Sequence, residues 1–379
     1  MLYTLKLFDT NLLQFRVVEN LAAPVVSITW VNEEQKHLLP PDLVEGNDGL
    51  AHWLKHRTIP KNRAFVSAFL SKCGLSANRP IDVITVCKGL SLNDSYWIVD
   101  ENETKDFAKA NLFDNRFSQI LASIAFTGYG SSVRSSCASS PEFTTNGMLP
   151  KCWRRLDGKV WLYKGATSGA SNTGNEPYSE RYAYLVGKEL EFDVIPYTLK
   201  KWKGSLCSVC EIFTSKDLAY VPVGRIIRSG GINAVRKYYG SLGPEFVRSL
   251  DEMIVFDALI CNTDRHFGNF GILFDSHTNQ PVRPAPLFDH GNALYHYAGR
   301  ENWADEKLLE NYASTLLPCI YDDFFTEASK CLNSEMRKKL RAALDFRFDE
   351  RGRYGYPSKI VHIIEHQIQK RAARILQQD

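Results

Sequence analysis

Short β-branched runs and helical stripes alternate through the first third of the chain. Val25-Val26-Ser27-Ile28-Thr29-Trp30-Val31 reads as a strand. Between Gly49 and Leu75, Leu50, Trp53, Leu54, Phe65, Phe69 and Leu70 give a helical pattern, which Pro60 divides into two short helices. From Thr127 to Asn146 the pattern lapses into glycine and hydroxyl residues, including Ser131, Ser132, Ser135, Ser136, Ser139, Ser140, Thr144 and Thr145, which is loop chemistry. Strands are expected at 151–156 and 160–164 around an Asp157-Gly158 turn. A helix follows over 178–190 and a strand over 206–213. Beyond about residue 243 helical spacing dominates. Pro244 opens a stripe of Val247, Leu250, Met253, Ile254 and Ala258, and the chain closes on an amphipathic helix over 358–378.

A length of 379 residues suggests two to three domains, and 44% hydrophobic with 23% charged residues excludes a disordered, collagenous or coiled-coil chain. The boundaries expected are an N-terminal accessory domain at 1–115, a mixed segment at 116–213 and a mainly helical segment at 214–379. A formal charge of +3 neither requires nor excludes nucleic acid. The excess of basic residues in 331–379 reads as a solvated helix face, so direct nucleic-acid binding is not expected. Nine irregularly spaced cysteines argue for reduced thiols rather than a disulfide framework, and Cys207-Ser208-Val209-Cys210 lacks the second pair a zinc site would need. With no signal peptide and no apolar run of membrane-spanning length, a soluble cytoplasmic protein without a membrane partner is expected.

The chemistry concentrates in Asn262-Thr263-Asp264-Arg265-His266-Phe267-Gly268-Asn269. An aspartate followed five positions later by an asparagine is the spacing of a phosphoryl-transfer loop. The aspartate orients an attacking hydroxyl and the asparagine reaches Mg²⁺. A strand over 270–274, a turn at 275–279 and a second strand ending at 287–291 can return Asp289 to Asn269, giving Mg²⁺ the oxygen ligands it prefers. Lys164, at the end of a strand, would grip the nucleotide phosphates. Glu180, on the following helix, is its expected partner. Neither G-x-G-x-x-G nor G-x-x-x-x-G-K-[ST] occurs upstream; Thr144-Thr145-Asn146-Gly147-Met148-Leu149-Pro150-Lys151 offers one glycine and a lysine four positions later.

On these residues the chain resembles the HipA-type serine/threonine kinases over roughly 116–379. The Asp264 loop resembles their catalytic loop, Phe288-Asp289 their metal-binding aspartate, and Gly147 to Lys151 their short phosphate loop. Lys164 resembles their nucleotide lysine, Ser179-Glu180-Arg181-Tyr182 their glutamate helix, and Val209 to Phe213 their hinge. The resemblance implies an α+β, bilobal protein-kinase-like fold with an additional N-terminal α/β subdomain, using ATP and Mg²⁺ on a protein hydroxyl. It assigns Asp264 and His266 to catalysis, with His266 touching the phosphates or bracing the loop. It assigns Asn269 and Asp289 to the metal, and Gly147, Lys151, Lys164, Glu180, Glu211 and Phe213 to the nucleotide. It further implies self-phosphorylation at Thr144 or its neighbour Thr145, and a small helix-turn-helix antitoxin as partner, in a toxin-type kinase. Asp-Arg-His-x-x-Asn also occurs in phosphoinositide-kinase-like enzymes, so a lipid or small-molecule kinase is the alternative, with a nucleotide-binding pseudokinase as the third.

Overall fold

Alternation of buried and half-exposed residues along β1 (Leu2–Leu7) directs Tyr3, Leu5 and Leu7 to one face. β2 (Thr10–Val18), β3 (Val25–Val31) and β4 (Tyr96–Asp100) join it in an antiparallel sheet of order β3-β2-β1-β4. Leu50, Trp53 and Leu54, from the helix Asn47–Lys55, cover that face with Ile81 and Ile84. The computed structural model describes residues 1–18, 25–134, 138–349 and 353–377; Ser135, Ser136, Cys137 and Gln378 lie outside the described residues.

The chain divides into two compact units. The first comprises Met1–Lys164, Glu211–Val221 and Leu273–Val282; the second comprises Gly165–Cys210, Pro222–Ile272 and Arg283–Asp379. The boundary expected near residue 115 therefore lies inside the first unit. One reason is Arg155, whose Nη2 donates to the carbonyls of Leu112 (3.0 Å) and Asn115 (3.2 Å). The boundary expected at 213/214 also differs, since 165–210 cluster with the helical half.

In the first unit, β5 (Lys151–Leu156) and β6 (Lys159–Lys164) form a hairpin registered from Lys151↔Lys164 to Leu156↔Lys159. Its two-residue turn needs positive φ at both positions, and Asp157 (φ 51°) and Gly158 (φ 76°) supply it.

In the second unit, the helix Glu176–Glu189 starts two residues earlier than the periodicity indicates, because Pro177 is tolerated in a first turn. β7 (Tyr197–Trp202) and β8 (Ser205–Glu211) form the next hairpin. The helix Pro244–Ile260 is the unit's central rod. Every residue from Met253 to Ile260 is buried, against the helices Gly231–Leu242, Phe324–Lys330 and Ser358–Leu376. Cys261 ends it in the left-handed conformation (φ 53°), with its N–H on the Asp257 carbonyl. The chain is thereby turned sharply into the Asp264 loop. The remaining strands are β9 (Leu218–Pro222), β10 (Gly271–Asp275) and β11 (Pro281–Pro284). No helix among the described residues is long and apolar enough to cross a membrane. The eight described cysteines form no disulfide, and no group of three or more His, Cys, Asp or Glu among the described residues could hold a metal.

Candidate active site

The second unit builds its site on the loop after the central helix. Asn262 is buried and donates from Nδ2 to Asp257 Oδ1 (3.0 Å), while its own Oδ1 accepts the Asp264 N–H (3.2 Å). Asp264 is thus set four residues beyond the helix end, and its Oδ2 accepts from Asn292 Nδ2 (2.8 Å). Burial raises the Asp264 carboxyl above the usual carboxylate range; the nearby His266 opposes this and the Asp289 charge adds to it. A carboxylate moved in that direction is a better hydrogen-bond acceptor for a substrate hydroxyl.

His266 is exposed and braces the loop: its Nδ1 accepts the Gly268 N–H (3.0 Å) and its carbonyl accepts the Asn269 N–H (2.9 Å). Asn269 is buried, and its Nδ2 is spent on the Asp264 carbonyl (3.1 Å), which turns the amide oxygen to the other side. Asp289 takes the left-handed conformation (φ 59°), and its N–H donates to the Tyr197 hydroxyl (3.3 Å). Burial, with Glu180 and Asp289 close by, pushes the Tyr197 hydroxyl well above its ordinary value, so it remains protonated.

Arg265 binds these pieces together. It is buried; Nε and Nη2 clasp Asp257 (2.8 and 3.0 Å), and Nη1 donates to the carbonyls of Asn269 (2.9 Å) and Phe288 (2.5 Å). Nη2 also meets His290 Nδ1 at 3.0 Å. The residue before Asp289 and the residue Asn269 are therefore held by one guanidinium. An amide oxygen and a carboxylate are hard oxygen groups of the kind that Mg²⁺ prefers as ligands.

Glu180 Oε2 accepts the backbone N–H of His290 (3.0 Å), and Ser179 Oγ donates to the Ala293 carbonyl. The Glu176–Glu189 helix is thereby tied to the segment that carries Asp289. Asn175 Nδ2 adds a bond to the His296 carbonyl (2.8 Å). His296 Nε2 and Glu176 Oε2 are buried with no hydrogen-bond partner among the described residues. Burial lowers His296 to about 4, against the pull of Glu176. Between about 4 and the ordinary 6.5 the unfolded chain binds a proton that the native state does not, so stability falls as pH drops through this window. The effect is worth up to roughly 3 kcal/mol. Urea melts between pH 7 and pH 4.5 should show His296→Asn losing less stability on acidification than the wild type; parallel losses would remove His296 as the cause.

The first unit carries the residues assigned to the nucleotide other than Glu180. Lys151 and Lys164 are cross-strand partners at the open end of the β5–β6 hairpin, and both are buried. Lys151 Nζ donates to the Asn146 carbonyl (2.8 Å). Gly147 has φ 92°, a left-handed backbone that favours glycine, while a Cβ there would meet only the flexible end of the Lys151 side chain. Thr144 is 3% exposed and donates to the Leu90 carbonyl (2.8 Å). Thr145 donates to the Pro141 carbonyl (2.6 Å) and accepts from Trp153 Nε1 (2.9 Å). Glu211 points its carboxylate at Lys159 (2.7 Å) in an exposed ion pair, and Phe213 packs edge-on against Tyr220.

Five site residues carried no role in the sequence reading. Arg265 and His290 flank assigned residues but gave no sign of their partners. Asn292 lies three residues after Asp289, a spacing that could have drawn attention. Asp257 had no local signal at all, nor had Arg63, whose Nη2 donates to the Lys151 carbonyl (2.5 Å).

No family model matches the chain, and no curated protein does. Solved structures do. The chain is similar to HipA in the Shewanella oneidensis MR-1 complex of HipA, HipB and operator DNA, at 12% identity over 99% of this chain and 97% of that one, with a TM-score of 0.55. It is also similar to the Helicobacter pylori proinflammatory kinase CtkA, at 16% identity over 61% of this chain and 90% of that one, with a TM-score of 0.48. The fold is that of a HipA-like kinase, α+β in content.

Proposed function

We propose that this HipA-like fold works as an ATP- and Mg²⁺-dependent kinase that transfers the γ-phosphoryl group to a serine or threonine hydroxyl of a protein. The observation that carries this reading is the Asp264–Asn269–Asp289 arrangement, with one buried guanidinium on the backbone beside both metal candidates. Asp264 receives the acceptor's proton or orients its hydroxyl. Asn269 and Asp289 hold Mg²⁺, which when bound neutralises charge on the transferring phosphoryl group. Lys151 and Lys164 would take phosphate oxygens, Gly147 lets the backbone approach them, and the backbone at Glu211 and Phe213 would flank adenine. Glu180 supports the site through the His290 N–H. Cytoplasmic residence, and pairing with a small helix-turn-helix antitoxin, complete the reading by likeness to HipA, whose solved complex contains HipB and operator DNA.

Self-phosphorylation belongs to the same proposal. Thr144 and Thr145 are both engaged in hydrogen bonds, so a phosphate at either needs the loop to leave its seat first. Once added, about −1.5 to −2 charges would oppose its return beside Lys151-bound nucleotide.

The deciding experiment is incubation with labelled ATP and Mg²⁺ followed by mapping of every phosphosite. Label on a protein serine or threonine, absent in Asp289→Ala, is expected. The order Asp264-Arg265-His266 with Asn269 favours a second reading, a lipid or small-molecule kinase, and label found only on such acceptors would select it.

A further inference from the structure

We infer that Arg265 is a positioning residue that sets the separation of the two metal-binding side chains by holding the backbone beside each, an inference that rests on the kinase reading above. A guanidinium has five N–H donors in a fixed plane. All five are placed here: Nε on Asp257 Oδ2, Nη2 on Asp257 Oδ1 and His290 Nδ1, and Nη1 on the carbonyls of Asn269 and Phe288. The side chain is 1% exposed and Asp257 is wholly buried, so water cannot replace a lost bond.

The direction of support runs outward from the central helix. Asp257 lies one turn before the helix end, where the backbone is rigid. Its carboxylate fixes Arg265, and Arg265 fixes two backbone points that are 19 residues apart in sequence. One is the carbonyl of Asn269 itself; the other is the carbonyl of the residue preceding Asp289. Because one nitrogen, Nη1, serves both carbonyls, neither backbone point can shift without breaking a bond to the same atom. The His290 contact fixes the opposite flank of Asp289, and the Glu180 bond to the His290 N–H secures that flank again. Asp289 sits between these supports in a left-handed conformation that an L-residue adopts at a cost, so it needs them.

Lysine could neutralise Asp257 but is a point donor on a flexible stem and cannot span two carbonyls, a histidine and a carboxylate. The charge would survive and the spacing would not. Partners one shell out from metal ligands typically change metal affinity 10–100-fold.

The test is Mn²⁺ binding, read by the loss of free-ion EPR signal, in the presence of a non-hydrolysable ATP analogue. Arg265→Lys should weaken Mn²⁺ binding at least tenfold while metal-free binding of the analogue stays within about threefold of wild type. Asp257→Asn sets an amide N–H against Arg265 donors and removes the counter-charge that anchors the guanidinium, so it should weaken Mn²⁺ binding in the same direction. Only protein with the wild-type far-UV spectrum is compared, and Arg265→Gln, expected to show the same loss, replaces the lysine variant if that does not fold. Wild-type Mn²⁺ affinity in folded Arg265→Lys overturns the inference. Asp289→Asn separates the two levels: if it too binds Mn²⁺ like the wild type, the metal site itself has been misassigned.

Discussion

Asp264→Asn should lower phosphoryl transfer by roughly a hundred- to ten-thousand-fold, the usual contribution of a positioned acid–base group. The expectation comes from the carboxylate's surroundings. One oxygen is held by Asn292, and the backbone N–H is held by Asn262, so the side chain is aimed before any substrate arrives. Burial and the charge of Asp289 raise its proton affinity, while His266 limits the rise, so it accepts a proton more readily than a surface carboxylate. Asparagine keeps the size and can keep the Asn292 contact, but it cannot accept a proton. The loss should therefore appear in kcat, with ATP affinity changed by no more than a few-fold. Steady-state kinetics with any phosphorylated protein, plus fluorescence titration of an ATP analogue, measures both. Transfer at the wild-type rate would remove Asp264 from the mechanism.

Local signals in the sequence reach a long way into this structure. The Asp157-Gly158 hairpin is legible because a two-residue turn needs left-handed backbone, and these residue types adopt it. The strand Val25–Val31 and the helix opened by Pro244 follow from β-branching and from the first-turn tolerance of proline. The order helix, Asp264 loop, Asn269, strand, Asp289 is also readable, since each step is local. The strand before Asp289 is shorter than its apolar pattern suggests. β11 stops at Pro284, and only a single bridge, Val194↔Leu287, follows, because Pro284 and Pro286 cannot donate to a ladder. Partner choice at long separation is not legible. Nothing local distinguishes Arg265 from a surface arginine in a polar loop, or places Asp257 beneath it. The grouping of 1–164 into one unit is hard to read for the same reason: the bonds of Arg155 to 112–115 and of Arg63 to 142–151 are set by packing.

That last arginine gives the largest expected effect on stability. Arg63 is 2% exposed, and its Nη2 donates to the Lys151 carbonyl (2.5 Å). Nη1 donates to the carbonyls of Glu142 (2.8 Å) and Thr145 (3.4 Å). It therefore grips the loop before β5 at three points, including the backbone of the lysine assigned to phosphate. Burial lowers its guanidinium to about 10, so it is still charged at neutral pH, and the charge faces Glu142. Glu142 is fully buried; burial raises its carboxyl, which Ser140, the Trp153 N–H (2.8 Å) and Arg63 hold against that rise. Removing the arginine strands a buried carboxylate and three carbonyls at once. A buried polar group left unpaired typically costs about 1–3 kcal/mol, so with three carbonyls stranded Arg63→Met should lower the stability of this unit by about 3–5 kcal/mol. Without its cation, Glu142 should take up a proton more readily, which relieves part of the loss. The deficit of Arg63→Met should therefore be smaller at pH 5 than at pH 7.5, and adding Glu142→Gln should recover part of it at the higher pH. Urea unfolding at both pH values, with hydrogen exchange of residues 140–151, measures the cost and locates it. A deficit below about 0.5 kcal/mol, or one that does not change with pH, would show that the loop is held by something other than Arg63 and its pairing with Glu142.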